Sequence, residues 1–224
     1  IVKAVKEGRH IYDNIKKAVH FSISTNVGEI VAIFMGLILG WDAPLIAIQL
    51  LWTNLVTDSL PGIALGLEPM EADIMNRRPK KANESIFAGG LWGKILIEGI
   101  MIGTLTLFAF SLGNNLYGLE VGRTMAFFAL STLELVHSFN IKSESSIFKV
   151  GIFNNMYLIG AVVLGLALQT VVIINPTISQ IFGSVPLNST QWLYVILISV
   201  LPLIIMELQK AINEFRFGRV VYPK

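Results

Sequence analysis

The chain contains no cysteine, and only 14% of its 224 residues are charged. The absence of cysteine excludes a disulfide framework and any metal site built on thiolates. Because a soluble domain carries about 25% charged residues, this shortage of charge, together with a mean hydropathy of +0.67, indicates an integral membrane protein. The net charge of +2 gives no indication of a nucleic-acid partner.

Targeting and repeat signals are also missing. The sequence has neither an initiator Met nor the basic, apolar and small-residue regions of a signal peptide, and it has no internal repeat. It opens inside a charged amphipathic stretch, so we expect a fragment of a longer protein.

Long apolar stretches are abundant. A helix needs about 20 apolar residues to cross the hydrocarbon core of a bilayer, whereas a transmembrane barrel would show alternating segments of about ten residues. Six stretches meet the helical criterion: 19–40, 45–66, 91–113, 123–141, 155–175 and 190–208. The predicted fold is therefore all-α, a polytopic bundle of six transmembrane helices over residues 19–208.

Basic residues predict how this bundle is oriented. Sixteen of the seventeen Lys and Arg residues fall before the first span, between the second and third, between the fourth and fifth, or after the sixth, if Lys94 at the start of the third span is included. Only Arg123 falls on the other side. Since loops rich in Lys and Arg face the cytoplasm, we expect both termini to be cytoplasmic.

The polar segments on the cytoplasmic side have distinct predicted structures. No Gly, Pro or turn cluster separates Tyr12 from Phe21, so residues 1–18 are predicted to form a cytoplasmic stalk helix continuous with the first span. Residues 67–90 are predicted to form a cytoplasmic coupling loop, and residues 209–224 a cytoplasmic tail.

Three acidic residues lie near the middle of predicted spans: Glu29, Asp58 and Glu134. An acid at the centre of a membrane helix costs about 2.5–3.5 kcal/mol on insertion scales. No Lys or Arg lies at the same depth to offset this cost. Such residues in a membrane are functional by default; the alternative is that they are protonated and only hydrogen-bond between helices.

Amide and hydroxyl side chains accompany these acids. Asn26 and Glu29 are three residues apart and share a helix face, and Asn54, Thr57 and Asp58 are spaced i, i+3, i+4. Together with the acid of the fourth span they offer oxygen ligands only, which suit calcium, magnesium or manganese better than zinc or copper. The pattern therefore predicts a cation site.

Backbone oxygens are expected to add to this set. Gly28 precedes Glu29, and Pro61 follows Asp58 by three residues. Local unwinding at these points would free carbonyl groups, which is tolerated in a membrane where the backbone lines a polar cavity.

Other polar or small residues in the spans have simpler interpretations. Glu98 and Glu207 lie near span ends and are expected to snorkel or to cap a helix. His137, one turn after the fourth-span acid, either lines the same cavity or packs in the core. Gly99 and Gly103 form a GxxxG pattern, which is typical of close helix packing.

Four segments make the sequence resemble a known family. They are EGRHIYDNIKK at 7–17, STNVGEI at 24–30, LLWTNLVTDSLPGIALG at 50–66 and EADIMNRRP at 71–79. They resemble P-type ATPases of type II, and most closely the sarcoplasmic-reticulum-type calcium pumps and their bacterial relatives. The resemblance runs from the stalk of the family's fifth transmembrane helix through its tenth, although the last two spans match only in hydropathy.

The resemblance implies roles for individual residues. In such pumps the matching positions coordinate calcium, and here they are Asn26, Glu29, Asn54, Thr57, Asp58 and Glu134. Asp58 would bridge both ions where two are bound. Sodium–potassium pumps typically carry Gln where Glu134 stands, and plasma-membrane calcium pumps lack an acid where Glu29 stands, so the two-site pattern matches better. His137 replaces the Asn common in animal pumps, which could alter counter-transported protons.

The family also implies what this chain does not contain. The phosphorylated Asp and the domains that bind ATP and Mg²⁺ precede this segment in the family, so we expect the chain to be inactive alone and to work with the missing N-terminal half of the pump. The implied function is ATP-driven calcium transport out of the cytoplasm with protons as counter-ions. The short loops and the absence of a retention signal favour a bacterial plasma membrane over a eukaryotic organelle membrane. The alternatives are a pump of the same family for manganese, sodium or another cation, and a secondary transporter or channel.

Overall fold

The computed structural model describes residues 1–71, 74–77 and 84–217, and every regular element in that part of the chain is helical. In chain order the elements are α1 (Val2–Ile38), α2 (Ala47–Trp52), a π-helix (Thr53–Asp58), α3 (Ser59–Gly66), α4 (Leu91–Tyr117), α5 (Leu119–Lys142), α6 (Ile147–Val150), a 3₁₀ turn (Ile152–Asn154), α7 (Met156–Ile174), α8 (Pro176–Ile181) and α9 (Ser189–Phe217). The predicted all-α class is confirmed.

Four helices in the described ranges are long and apolar enough to cross a membrane: α1, α4, α7 and the Ser189–Ile212 part of α9. They make the chain a multi-pass helical membrane protein. The other two predicted spans differ in character, because 45–66 contains a change of helix type and 123–141 lies in the most buried helix. The count of six transmembrane helices therefore stays a prediction.

The expected unwinding at Gly28 is wrong, because α1 continues through it without a break. Before Pro61 the α-helical winding does change, but into a hydrogen-bonded π-helix over Thr53–Asp58. The extra residue in the π turn changes which carbonyl groups need partners, and the Ser59 hydroxyl donates to the carbonyl of Asn54 at 3.0 Å. The Ser59 side chain thus supplies a donor to a backbone carbonyl within the π-helix.

Three glycines bring the backbones of α1 and α4 together. A Cβ atom on Gly99 would lie 2.5 Å from Cγ1 of Val27 and 2.8 Å from the carbonyl oxygen of Ser24, and one on Gly103 would lie 2.7 Å from the carbonyl oxygen of Gly28. The predicted GxxxG packing is therefore confirmed. The contact fixes the position of the α1 segment that carries Glu29.

α5 lies in the middle of the bundle. Every residue from Thr124 to Leu135 is buried, and the helix packs against α4, α7 and α9. Phe128 contacts Trp192 of α9 edge-on, with ring centroids 4.7 Å apart. A helix surrounded on all sides carries its polar side chains into the interior, and this is how Glu134 comes to be inaccessible to solvent.

A buried ion pair joins the end of α5 to the end of α3. Lys142 is 1% exposed, donates to the carbonyl groups of Gly151 and Ile152 at 3.0 and 3.2 Å, and lies 3.8 Å from Oε1 of Glu68. Asn155 donates to Oε2 of Glu68 at 2.7 Å. Burial raises the pKa of Glu68 and lowers the pKa of Lys142, while their mutual attraction opposes both shifts.

The described part of the predicted coupling loop is attached to α1. Lys17 Nζ lies 2.8 Å from Oε1 of Glu71, and Arg77 pairs with Asp13 at 2.7 Å and also with Glu71. Arg9 donates to two further loop carbonyl groups at 2.9 and 3.0 Å. These contacts hold the loop against the half of α1 that precedes the first predicted span.

Some sequence predictions fall outside the described residues. In the loop these are Asp73, Arg78, Pro79, Lys80 and Lys81, and in the tail they are residues 218–224.

The glycine contact between α1 and α4 can be tested with Gly99→Ala. The added methyl group has no room beside Val27 and Ser24, so we expect the free energy of unfolding to fall by about 1–3 kcal/mol. Gly160→Ala in α7 is the control, because a Cβ there meets nothing within 4 Å. The loss of stability in each variant would be measured from the unfolding temperature of the purified full-length protein. Equal unfolding temperatures for the two variants would contradict the close packing.

Candidate cation-binding site

Two carboxylate-bearing helices meet the π-helix near the middle of the bundle. Asn54 donates from Nδ2 to both oxygens of Glu29, at 2.8 and 2.9 Å. Thr57 Oγ1 lies 3.4 Å from Oε2 of Glu134. These three elements, α1, the π-helix and α5, therefore gather five of the six side chains that the sequence predicted, with Asp58 between them. We call this group, with Thr25, the carboxylate cluster.

Thr25 was missed by the sequence analysis. Its hydroxyl donates to Oδ2 of Asp58 at 2.7 Å, and its side chain is completely buried. The signal was available, since Thr25 lies four residues before Glu29 and such pairs share a helix face. No pattern within one helix indicated that it would meet Asp58 of another.

The carboxylates of the cluster are buried and incompletely satisfied. Glu29 is 7%, Asp58 8% and Glu134 0% exposed. Among the described residues, neither Oδ1 of Asp58 nor Oε1 of Glu134 has a hydrogen-bond partner, and none of the three acids forms an ion pair with Lys or Arg. An unpaired carboxylate oxygen in a protein interior is costly, and the carboxyl groups of Asp58 and Glu134 lie within hydrogen-bonding range of each other. A bound cation or a shared proton would satisfy these oxygens.

Asn26 is not brought into the cluster. Its side chain is half-buried and donates from Nδ2 to the carbonyl of Ser22 at 2.6 Å on its own helix. In the part of the chain that the structure describes, no group of three or more His, Asp or Glu side chains is arranged to hold a metal ion. Asp58 and Glu134 contact each other directly, and Asn54, Thr25 and Thr57 provide the other contacts of the three acids.

A second polar group lies closer to the N-terminal half of α1. His20 Nε2 is 2.5 Å from Oε2 of Glu98, and His137 Nε2 is 3.5 Å from the same oxygen and 3.0 Å from the hydroxyl of Ser24. His137 also stacks on Phe21, with ring centroids 6.3 Å apart. We call His20, Ser24, Glu98 and His137 the histidine cluster.

The histidine cluster corrects one interpretation of the sequence and decides another. Glu98 does not snorkel or cap, because it is 4% exposed and faces α1 and α5. Of the two alternatives for His137, the structure favours packing in the core, since the ring is fully buried and stacks on Phe21. His20 was not recognised at all, although a histidine inside a predicted span is itself unusual.

Glu207 behaves as the sequence predicted. It accepts hydrogen bonds from the Ser146 hydroxyl at 2.5 Å and from the Ile147 backbone N–H at 3.1 Å. Both donors belong to the first turn of α6, so Glu207 caps that short helix from α9.

Comparison with known proteins agrees with this architecture. Residues 42–212 match the family described as cation transporting ATPase, C-terminus. The chain belongs to this family of P-type ATPases. The match covers the π-helix, α5 and the helices packed around them, and α1 precedes it.

The similarity to bacterial relatives covers almost the whole chain. The chain is 42% identical over 228 aligned positions to "Calcium-transporting ATPase 1" of Bacillus cereus, and the alignment covers 94% of this chain and 26% of that protein. "Calcium-transporting ATPase" of Bacillus subtilis is 41% identical, covering 90% and 23%, and "Calcium-transporting ATPase 1" of Lactococcus lactis is 40% identical, covering 95% and 24%. The segment thus spans about a quarter of the length of these curated relatives.

The contact between Thr25 and Asp58 can be tested with Thr25→Val in the complete ATPase. The change leaves a second oxygen of Asp58 buried without a donor, so we expect the free energy of unfolding to fall by about 1–3 kcal/mol. Thr106→Val is the control, because the equally buried Thr106 donates only to the carbonyl of Ile102 in its own helix. The stabilities of the two variants would be compared by their unfolding temperatures in detergent. A larger loss of stability for Thr106→Val than for Thr25→Val would contradict the role of Thr25.

Proposed function

We propose that this segment supplies cation-binding side chains of an ATP-driven calcium pump, which moves calcium out of the cytoplasm in exchange for protons. The observation that carries the proposal is the carboxylate cluster itself. Three acids from three elements are buried together, two of them have oxygens without a hydrogen-bond partner, and no basic side chain neutralises them within the described residues. A cation would supply the charge that these groups lack.

The chemistry of the cluster favours a hard cation. Its side chains offer carboxylate, amide and hydroxyl oxygens, and calcium accepts six to eight such ligands in flexible geometry. The names of the bacterial relatives, all calcium-transporting ATPases, support the choice of calcium as the transported ion.

Binding would require a local rearrangement at Asn54. The amide now directs its Nδ2 hydrogens at both oxygens of Glu29. A cation at Glu29 would repel those hydrogens, so the amide would have to turn and present its oxygen instead. Thr25 holds Asp58 in a similar donor contact. Replacing the donated hydrogens with a cation would therefore require only rotation of the Asn54 and Thr25 side chains.

The remaining parts of the proposal concern the complete pump. The other three quarters of the protein would bind ATP and Mg²⁺ and become phosphorylated, so this segment alone would be inactive. We place six helices across the bilayer of a bacterial plasma membrane, with both termini in the cytoplasm. The pairs of Lys17 with Glu71 and of Arg77 with Asp13 would let movement of the cytoplasmic half of α1 carry the loop with it.

Asp58→Asn tests the cation site directly. The variant keeps the shape of the side chain and removes its charge, and Asp58 is the acid expected to serve both ions. We therefore expect at least a tenfold loss of calcium affinity, about 1.4 kcal/mol or more, and a milder loss for Glu134→Gln. Equilibrium calcium-45 binding to the complete pump at fixed pH, with manganese and sodium as competitors, provides the measurement.

The control for this experiment is Glu120→Gln, a neutralised acid on an exposed part of α5. Normal binding by Asp58→Asn together with failed binding by Glu134→Gln would reverse the proposed ranking of the ligands. Normal binding by both would make the acids structural.

Glu71→Ala, alone or with Asp73→Ala, tests the coupling loop. Removing Glu71 releases the loop from Lys17 and weakens its contact with Arg77, so we expect slower phosphorylation of the pump with an unchanged number of bound calcium ions. The exposed Glu7 of α1 provides the control variant Glu7→Ala. Loss of calcium binding in the loop variant would show that the loop belongs to the ion site instead.

A further inference from the structure

The histidine cluster has no part in the proposed calcium site. It lies where α1, α4 and α5 meet, and its four side chains are at least four-fifths buried. His20 precedes Glu29 by nine residues, so the two side chains are separated by about 13 Å along α1. The cluster is therefore a distinct polar site on the cytoplasmic side of the carboxylate cluster.

Hydrogen bonds define the state of His137. The Ser24 hydroxyl lies 2.9 Å from the carbonyl of Phe21 and 3.0 Å from Nε2 of His137, and its single hydrogen can be donated to only one of them at a time. When it is donated to Phe21, Nε2 of His137 carries a hydrogen toward Ser24 and Oε2 of Glu98. In that tautomer Nδ1 has a lone pair, and Nδ1 is buried without a partner among the described residues.

Glu98 lies between two imidazole groups. Its contact of 2.5 Å with Nε2 of His20 requires a hydrogen between the two atoms, carried either by the imidazole or by the carboxyl group. His137 approaches the same oxygen from α5 at 3.5 Å. A buried carboxyl group between two imidazole groups can share one proton with a neighbouring imidazole. Such a group of side chains is suited to binding and releasing a proton.

Other charged groups around the cluster are already engaged. Lys210 of α9 interacts electrostatically with Glu98 and His137. Its own ion pair is with Glu207, with Nζ 3.2 Å from Oε1. Glu144 acts on Lys210 and pairs at 2.8 Å with Lys94. No Lys or Arg of the described chain forms an ion pair with Glu98, so the two histidines are its partners.

The two clusters share a support on α1. Ser24 contacts His137 of the histidine cluster, and the next residue, Thr25, donates to Asp58 of the carboxylate cluster. Movement of this turn of α1 therefore alters both contacts together. The close packing of Gly99 against Ser24 and Val27 places Glu98, the preceding residue of α4, in the same arrangement.

We infer that Glu98, His20 and His137 form a proton-binding site, separate from the carboxylate cluster, which takes one proton from cytoplasmic water and releases it when calcium binds. The link to calcium rests on the proposed function. The proton resides on the hydrogen-bonded pair of Glu98 and His20, and His137 provides a further acceptor at Nδ1. Displacement of Ser24 and Thr25 by the entering cation changes the affinity of this site.

The experiment uses the complete pump and measures calcium-45 affinity as a function of pH. The slope of log affinity against pH counts the protons released on calcium binding, and Glu98→Gln should lower it by about one. His137→Gln keeps a donor near Nε2 but removes the lone pair of Nδ1, and it should lower the slope in the same direction. Matched controls are Glu120→Gln, an exposed acid, and His10→Gln, a histidine of α1 outside the cluster.

Each outcome supports or overturns the inference. Normal calcium binding with a reduced slope in Glu98→Gln and unchanged slopes in the controls supports it. Normal binding with an unchanged slope in both Glu98→Gln and His137→Gln overturns it and leaves the calcium site intact. A merely structural role would lower the unfolding temperature without changing the slope.

A second readout does not depend on calcium. Infrared titration of the pump without calcium should contain a band that follows pH, either the carboxylic-acid C=O band of Glu98 or the imidazolium band of His20, and this band should be missing from Glu98→Gln but present in the controls. If the unmodified pump binds no calcium, the proposed function fails, and this band still decides whether the pair of Glu98 and His20 binds a proton. Its absence from the unmodified pump would overturn the inference.

Discussion

The close contact between the backbones of α1 and α4 is the constraint on which both polar clusters depend. Gly28, Gly99 and Gly103 let the helices approach until a methyl group would meet backbone atoms. In a membrane, where lipid is as apolar as the helix surfaces, such packing is a main source of association. It fixes the turns of α1 that carry Ser24, Thr25 and Glu29, and it faces Glu98 toward α1.

Burial of α5 imposes the second constraint. Its central residues contact other helices on all sides, so Glu134 is buried from solvent. The negative charges of Glu29 and Asp58 lie close enough to act on it. Donor contacts from Asn54, Thr25 and Thr57 offset part of the cost of burial. They do not neutralise charge, which is why the cluster is better explained by a cation or by protons than by packing.

Ion pairs at the end of the bundle that carries the predicted coupling loop connect the same helices to segments outside the predicted spans. Glu68 and Lys142 join α3 to α5, and Glu71 and Arg77 join the following loop to α1. Motion of α1 would therefore change its contacts with the loop and the contacts within both polar clusters. In the proposed pump this arrangement lets the soluble domains act on the cation site, and the histidine cluster lies between them.

The sequence by itself determined the membrane class, the helical content and which polar side chains lie inside the bundle. Hydropathy sets which segments are apolar, and acids and amides within such segments stand out against them. The GxxxG pattern likewise predicted a close contact. Spacing cannot specify which helix lies opposite, so the partners of Asp58 and Glu98, namely Thr25 and His20, came only from the tertiary structure. The same holds for the π-helix, whose hydrogen bonds replaced the unwinding expected from Pro61, and for Asn26, whose contact with its own backbone overrode its position beside Glu29.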